Sequence, residues 1–226
     1  MDTALDNPVW HALAALPDGL AVKASHSARY AAEVAPFFAI DQAAPQAYAD
    51  MRALLDDASE ARLFRPAPEP SPPGWRKTFE KPIAQMLLDR RIDEAVDAPA
   101  IDELGPDDLP EMLALAEQTR PGPFARRTRE LGTFLGIRQN GRLVAMAGER
   151  FRLPGHVEIS AIATHPACRG RGYARHLTAA LAARIQAAGP TPFLHVFPDN
   201  VAAARLYAAM GFAERARLTI VWLAPA

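Results

Sequence analysis

Between Val157 and Gly189 the chain changes its period twice, and this restricts its fold more than any other feature. Val157-Glu158-Ile159-Ser160-Ala161-Ile162-Ala163 reads as a strand that ends at Thr164-His165-Pro166. Arg169-Gly170-Arg171-Gly172 follows, and then Tyr173, Leu177, Leu181 and Ile185 recur every four residues until Gly189-Pro190, which predicts a helix with one apolar stripe. A glycine loop between a strand and a helix start puts unpaired N–H groups and the positive end of a helix dipole where a phosphate can approach the backbone. The local charge agrees. Residues 159–198 hold no Asp or Glu but do hold Arg169, Arg171, Arg175 and Arg184, although the chain carries 26 acids. Neither the Walker spacing nor the dinucleotide fingerprint is present. Taken alone, the Arg-Gly repeat fits a bare turn as well as it fits a function, and an RNA-binding fragment is a further reading.

The surroundings predict a mixed α/β fold. Gly105-Pro106-Asp107-Asp108 opens a helix carrying Leu109, Met112, Leu113 and Leu115, and Thr119-Arg120-Pro121 closes it. Residues 133–138 and 142–147 flank Asn140-Gly141, the strongest short hairpin signal. Past Gly189, residues 193–197 form a short buried strand, Asn200 caps a helix over 201–210 that Gly211 terminates, and a last strand runs from about Arg217 to Leu223. Residues 66–74 carry five prolines and read as a loop inside the N-terminal half. The acidic, Pro-closed stretch around residue 95 is the better boundary, giving an N-terminal α/β half, 1–95, and a domain over 96–226.

With 226 residues, half of them hydrophobic, a large core is available. A net charge of -1 gives no global reason to expect nucleic acid or an anionic membrane as partner. A single cysteine, Cys168, excludes an internal disulfide, and the six histidines show no metal-ligand spacing, so no metal is expected. No apolar run reaches membrane-span length and the start lacks a leader pattern, so the expected location is cytoplasmic, as a monomer or homodimer.

Two segments together resemble the GNAT superfamily of N-acetyltransferases. Arg169-x-x-Gly172-x-Ala174, with His165-Pro166 before it, matches the family's [QR]-x-x-G-x-[GA] signature between strand and helix. About 30 residues on, Asp199-Asn200-Val201-Ala202-Ala203 through Leu206-Tyr207 to Gly211-Phe212 resembles the family's second motif. The run Pro192–Val196 and the extra N-terminal half look most like the glycine-N-acyltransferase-like branch, in which that half is a degenerate copy of the domain.

The resemblance implies a GNAT fold, a mostly antiparallel mixed sheet splayed at the cofactor site, with acetyl-CoA as acyl donor and a small-molecule amine or amino acid as acceptor. It implies that the amides of Arg169, Gly170, Arg171, Gly172, Tyr173 and Ala174 bind the pyrophosphate, while Ile162, Ala163 and Thr164 pair with the pantetheine arm. Asn200 and Ala203 would meet the same arm, and Tyr207, two helical turns from Asn200 and on its face, would protonate the departing thiolate as general acid. The amine attacks the thioester directly through a tetrahedral intermediate. Glu158 and Glu149 are the candidate bases. A lysine amine costs roughly 4 kcal/mol to deprotonate at pH 7.5 and an α-amine well under 1, so the demand for a base depends on the acceptor. Thr119 to Arg129, with Phe124 and Arg120, Arg126, Arg127 and Arg129, occupies the region expected to shape the acceptor pocket. A non-catalytic acyl-CoA sensor is the alternative reading.

Overall fold

The computed structural model describes residues 3–55, 60–92 and 99–226. Two short helices, α1 (Thr3–Asp6) and α2 (Pro8–Ala15), precede a small antiparallel sheet of β1 (Ala21–Lys23), β2 (Ser27–Tyr30) and β3 (Phe38–Ile40). Helix α3 (Pro45–Ala53) leads to β4 (Ala61–Arg65) and β5 (Trp75–Leu87), with the proline-rich loop between these strands. After β6 (Asp102–Glu103), a 3-10 turn at Pro106–Asp108 enters α4 (Leu109–Thr119), and the Asp108 carboxylate accepts the Gly105 N–H at 2.6 Å. Helix α4 ends where Arg120 turns left-handed, at φ 49°.

The hairpin forms as expected. Strands β7 (Phe134–Gln139) and β8 (Arg142–Leu153) are joined at Asn140 and Gly141, whose φ values of 50° and 78° are those a two-residue hairpin turn needs. Then come β9 (His156–Thr164), α5 (Tyr173–Ala187), β10 (Thr191–Val196), α6 (Val201–Ala209) and β11 (Ala213–Pro225). The large sheet has the order β4-β11-β5-β10-β9-β8-β7-β6, and only β9 and β10 run parallel. It is the mixed, mostly antiparallel α/β sheet that the sequence implies. The boundary near residue 95 falls in 93–98, outside the described residues, but β4 and β5, which precede it, share one sheet with β10 and β11.

Strand alternation assigns the layers. Leu135, Ile137, Leu194 and Val196 pack on the face covered by Leu177, Leu181 and Ile185 of α5. The opposite face is divided. Phe134 and Met146 meet Met112 and Leu115 of α4, while Phe151, Phe193 and Ile220 meet α2 and the small sheet. The ring of Phe134 lies directly across from Gly148, where an added Cβ would sit 2.2 Å from it. Gly148→Ala is therefore expected to cost about 1–3 kcal/mol by overpacking, read as a lower denaturant midpoint with an unchanged slope.

Candidate active site

The parallel pairing of β9 with β10 stops at Glu158 and Phe193. Beyond that pair β10 stays with β5, whereas β9 stays with β8, so the strands fork and their facing backbone groups are left unpaired. A bulge enlarges the fork: Ala147 alone stands opposite Ala161 and Ile162, and Ala161 takes a left-handed φ of 51°. Two cavities, of about 540 and 410 Å³, open on either side and meet at Ile162, Asn200, Ala203, Tyr207 and Arg120-Pro121.

The larger cavity gathers every residue expected to touch the donor: Ile162–Thr164, Arg169 through Ala174, Asn200 and Ala203. Gly170 and Gly172 both have φ 77°, which accounts for two glycines in the loop. Among the described residues, none of the N–H groups of 170–175 has a protein acceptor. They lie at the start of α5, where unpaired N–H groups and the helix dipole suit an anion. Arg169, Arg171 and Arg175 line it, while Arg184 lies farther along α5 and pairs with Glu103 at 2.8 Å. Cys168 is buried, its thiol donating to Gln139 Oε1, and Gln139 Nε2 donates to the Tyr173 hydroxyl at 2.6 Å.

Asn200 caps α6, its Oδ1 accepting the Ala203 N–H at 3.3 Å, which leaves the side-chain NH₂ directed elsewhere. Tyr207 is 7% exposed, and its hydroxyl has no hydrogen-bond partner among the described residues. Burial pushes its pKa up to about 12, so the phenol keeps its proton at neutral pH.

The carboxylates sit differently. Glu158 is fully buried and lines neither cavity. Arg150 donates to both of its oxygens at 2.7 Å, and His195 Nδ1 donates to Oε1 at 2.7 Å. Gln85 Nε2 lies 3.2 Å from His195 Nε2 and donates to the Leu5 carbonyl, while Gln85 Oε1 accepts from Arg215. This order of donors makes His195 the Nδ1–H tautomer. Burial pushes the Glu158 pKa up, but the Arg150 charge and the His195 hydrogen bond outweigh it and leave the carboxyl at about 2. Glu149 is also buried, bonded to Arg152 and the Thr133 N–H.

The second cavity lies between both halves of the chain. Arg120 to Pro123 line it as the sequence suggests, but Arg126, Arg127 and Arg129 do not, and Arg127 is held by Glu130 and the Gly19 carbonyl. Sequence reading missed Phe37, Phe64, Phe79, Trp222, Arg62 and Arg150, which come from β4, β5, β8 and β11 and, for Phe37, the residue before β3. Their signal was weak, consisting of alternate aromatic and basic positions on strands whose inward face only the packed sheet defines. Among the described residues, no three His, Cys, Asp or Glu side chains cluster as metal ligands, and no helix is long and apolar enough to cross a membrane.

The FR47-like protein family profile matches residues 134–223. A crystal structure of a protein from Novosphingobium aromaticivorans DSM 12444, assigned to the GNAT acetyltransferases, is 40% identical, with 100% of both chains covered and a TM-score of 0.90. A GCN5-related N-acetyltransferase from Kribbella flavida, 15% identical over 91% of this chain and 89% of that one, has a TM-score of 0.56 and supports the fold alone. None of the curated proteins matches.

Glu158 ties three strands together, so its loss should be felt in stability. Glu158→Gln strands the buried Arg150 charge and is expected to cost about 3–5 kcal/mol at neutral pH. Because its pKa is depressed on folding, the stabilisation is complete above the ordinary value of 4.5 and is lost as pH falls toward about 2. Denaturant midpoints measured across that window should fall for the natural chain and stay flatter for the variant.

Proposed function

The chain belongs to the GNAT family of N-acetyltransferases, and from that premise we propose that it moves an acetyl group from acetyl-CoA to the primary amine of a small molecule or amino acid. The observation that carries this reading is the junction of the two cavities. There the unpaired amides of the 170–175 loop lead along the free edge of β9 to the protonated hydroxyl of Tyr207. Acetyl-CoA when bound supplies the thioester. The loop amides hold its pyrophosphate, the edge of Ile162–Thr164 and the Asn200 side-chain NH₂ align the pantetheine arm, and strand amides offer a preorganised site for the oxyanion.

The amine nitrogen forms a bond to the acyl carbon through a tetrahedral intermediate as the C–S bond breaks. Tyr207 gives its proton to the sulfur, and the proton lost by the amine restores the phenol through solvent. Glu158, at a pKa of about 2 and turned from the cavities, is too weak a base for an ammonium ion. We assign it a positioning role toward Arg150 and His195, and the ammonium gives its first proton to solvent before the neutral amine attacks. In the same reading the chain belongs to the glycine-N-acyltransferase-like branch and acts in the cytoplasm as a monomer or homodimer, without metal, nucleic acid or membrane. The 1–95 half is a degenerate copy whose strands now wall the acceptor side.

Calorimetry with acetyl-CoA tests the donor, and thiol release with an amine panel tests turnover. Binding without release from any amine would favour an acyl-CoA sensor. Tyr207→Phe is expected to slow release about 10²–10⁴-fold with the acetyl-CoA affinity unchanged. Gly170→Val, which forces a side chain into a left-handed position, should do the reverse, weakening acetyl-CoA binding about tenfold for a strain of roughly 1–2 kcal/mol.

A further inference from the structure

The acceptor cavity has a composition that selects its amine. Its lining contains no Asp or Glu, but it contains the guanidiniums of Arg62, Arg120 and Arg150 and the rings of Phe37, Phe64, Phe79, Phe197 and Trp222. The three cations are not equivalent. Arg150 is neutralised by the two-point pair with Glu158, at 2.7 Å on each oxygen. Arg62 stacks 4.1 Å from the Trp222 ring centre and shares its charge with Glu60 at 3.3 Å. Arg120 has no carboxylate partner among the described residues, and it lines both cavities where they meet.

We infer that the acceptor is an α-amino acid with an aromatic or large apolar side chain, its carboxylate held by Arg120 and its side chain lying among Phe37, Phe64, Phe79 and Trp222. This rests on the acyl-transfer reading of the site. In an α-amino acid the carboxylate is one carbon from the amine, so the cation that recognises it must stand beside the reacting centre. Arg120 does, at the junction shared with Tyr207, and its left-handed backbone at the end of α4 turns the chain across that junction. The aromatic wall stands on the acceptor side, where a cavity of about 410 Å³ has room for an aryl side chain.

The missing acids matter for chemistry as well as for fit. A cationic acceptor such as a polyamine or a lysine side chain would find no carboxylate in the lining to pair with, whereas the carboxylate of an amino acid is drawn toward Arg120. The same positive field disfavours the ammonium form. This lowers the cost of presenting the acceptor's α-amine in the neutral form that attacks, and the proton it sheds leaves to solvent rather than to a carboxylate base.

The test is calorimetric titration of L-phenylalanine, phenethylamine, L-alanine, putrescine and 6-aminohexanoate into the full chain saturated with CoA, followed by thiol release from acetyl-CoA with each. L-phenylalanine should bind and react best, and removing either the carboxylate or the ring should cost about tenfold or more, the worth of one good polar or stacking contact. In Arg120→Gln the gap between L-phenylalanine and phenethylamine should close, while in Trp222→Ala the gap between L-phenylalanine and L-alanine should shrink. The inference is overturned if putrescine or phenethylamine matches L-phenylalanine, if L-alanine equals it, or if none of the five binds. Preference for 6-aminohexanoate also overturns it, since that would place the anion several bonds from the amine and away from Arg120. Acetyl-CoA binding and thiol release with some other amine would leave the acyltransferase reading intact while this one fails.

Discussion

A fully buried carboxylate at the fork of a sheet is the interaction on which the rest of this structure depends. Glu158 lies in the last residue pair that β9 makes with β10, and His195, which donates to it, lies two residues past that pair on β10. Arg150, from β8, completes the link. Three strands are thus fastened where two of them separate. Removing these charges from water is costly, and the hydrogen bonds offset that cost only while all the partners stay in place. The fork is therefore rigid on its closed side, which lets its open side carry unpaired backbone.

That division gives the two cavities different chemistry. The larger cavity is bordered largely by main chain: left-handed glycines, unpaired amides at the start of α5, and the free edge of β9 past its bulge. Backbone recognition of this kind tolerates many side chains, which is why a short spacing pattern suffices to mark it. The smaller cavity is lined mainly by side chains, with aromatic and arginine residues drawn from strands on both sides of residue 95. Specificity built that way has no fixed spacing, and each position gains meaning only from the face toward which its strand is turned.

Tyr207 and Arg120 stand where these surfaces join. Burial holds the phenol proton, and the left-handed end of α4 places Arg120 on the border of both cavities. Neither effect is a property of the residue type. A tyrosine on an exposed helix face has no reason to stay unpartnered, and an arginine after a helix need not border a cavity.

The sequence by itself determined the local elements and the donor loop. Period-two and period-four patterns, Asn140-Gly141, the capping Asn200 and the Arg169–Ala174 run are short-range signals whose physics is completed within a few residues, and the structure has each on its expected element. Tertiary structure alone decided that β5 enters between β10 and β11, so that N-terminal strands wall the smaller cavity. It also decided the environment of Glu158, which alternation left open to solvent or core. Arg150 and His195 lie 8 and 37 residues from it, and only the sheet register and a bulge in β8 bring all three inside. Contacts between distant residues depend on register and packing, which no local pattern encodes.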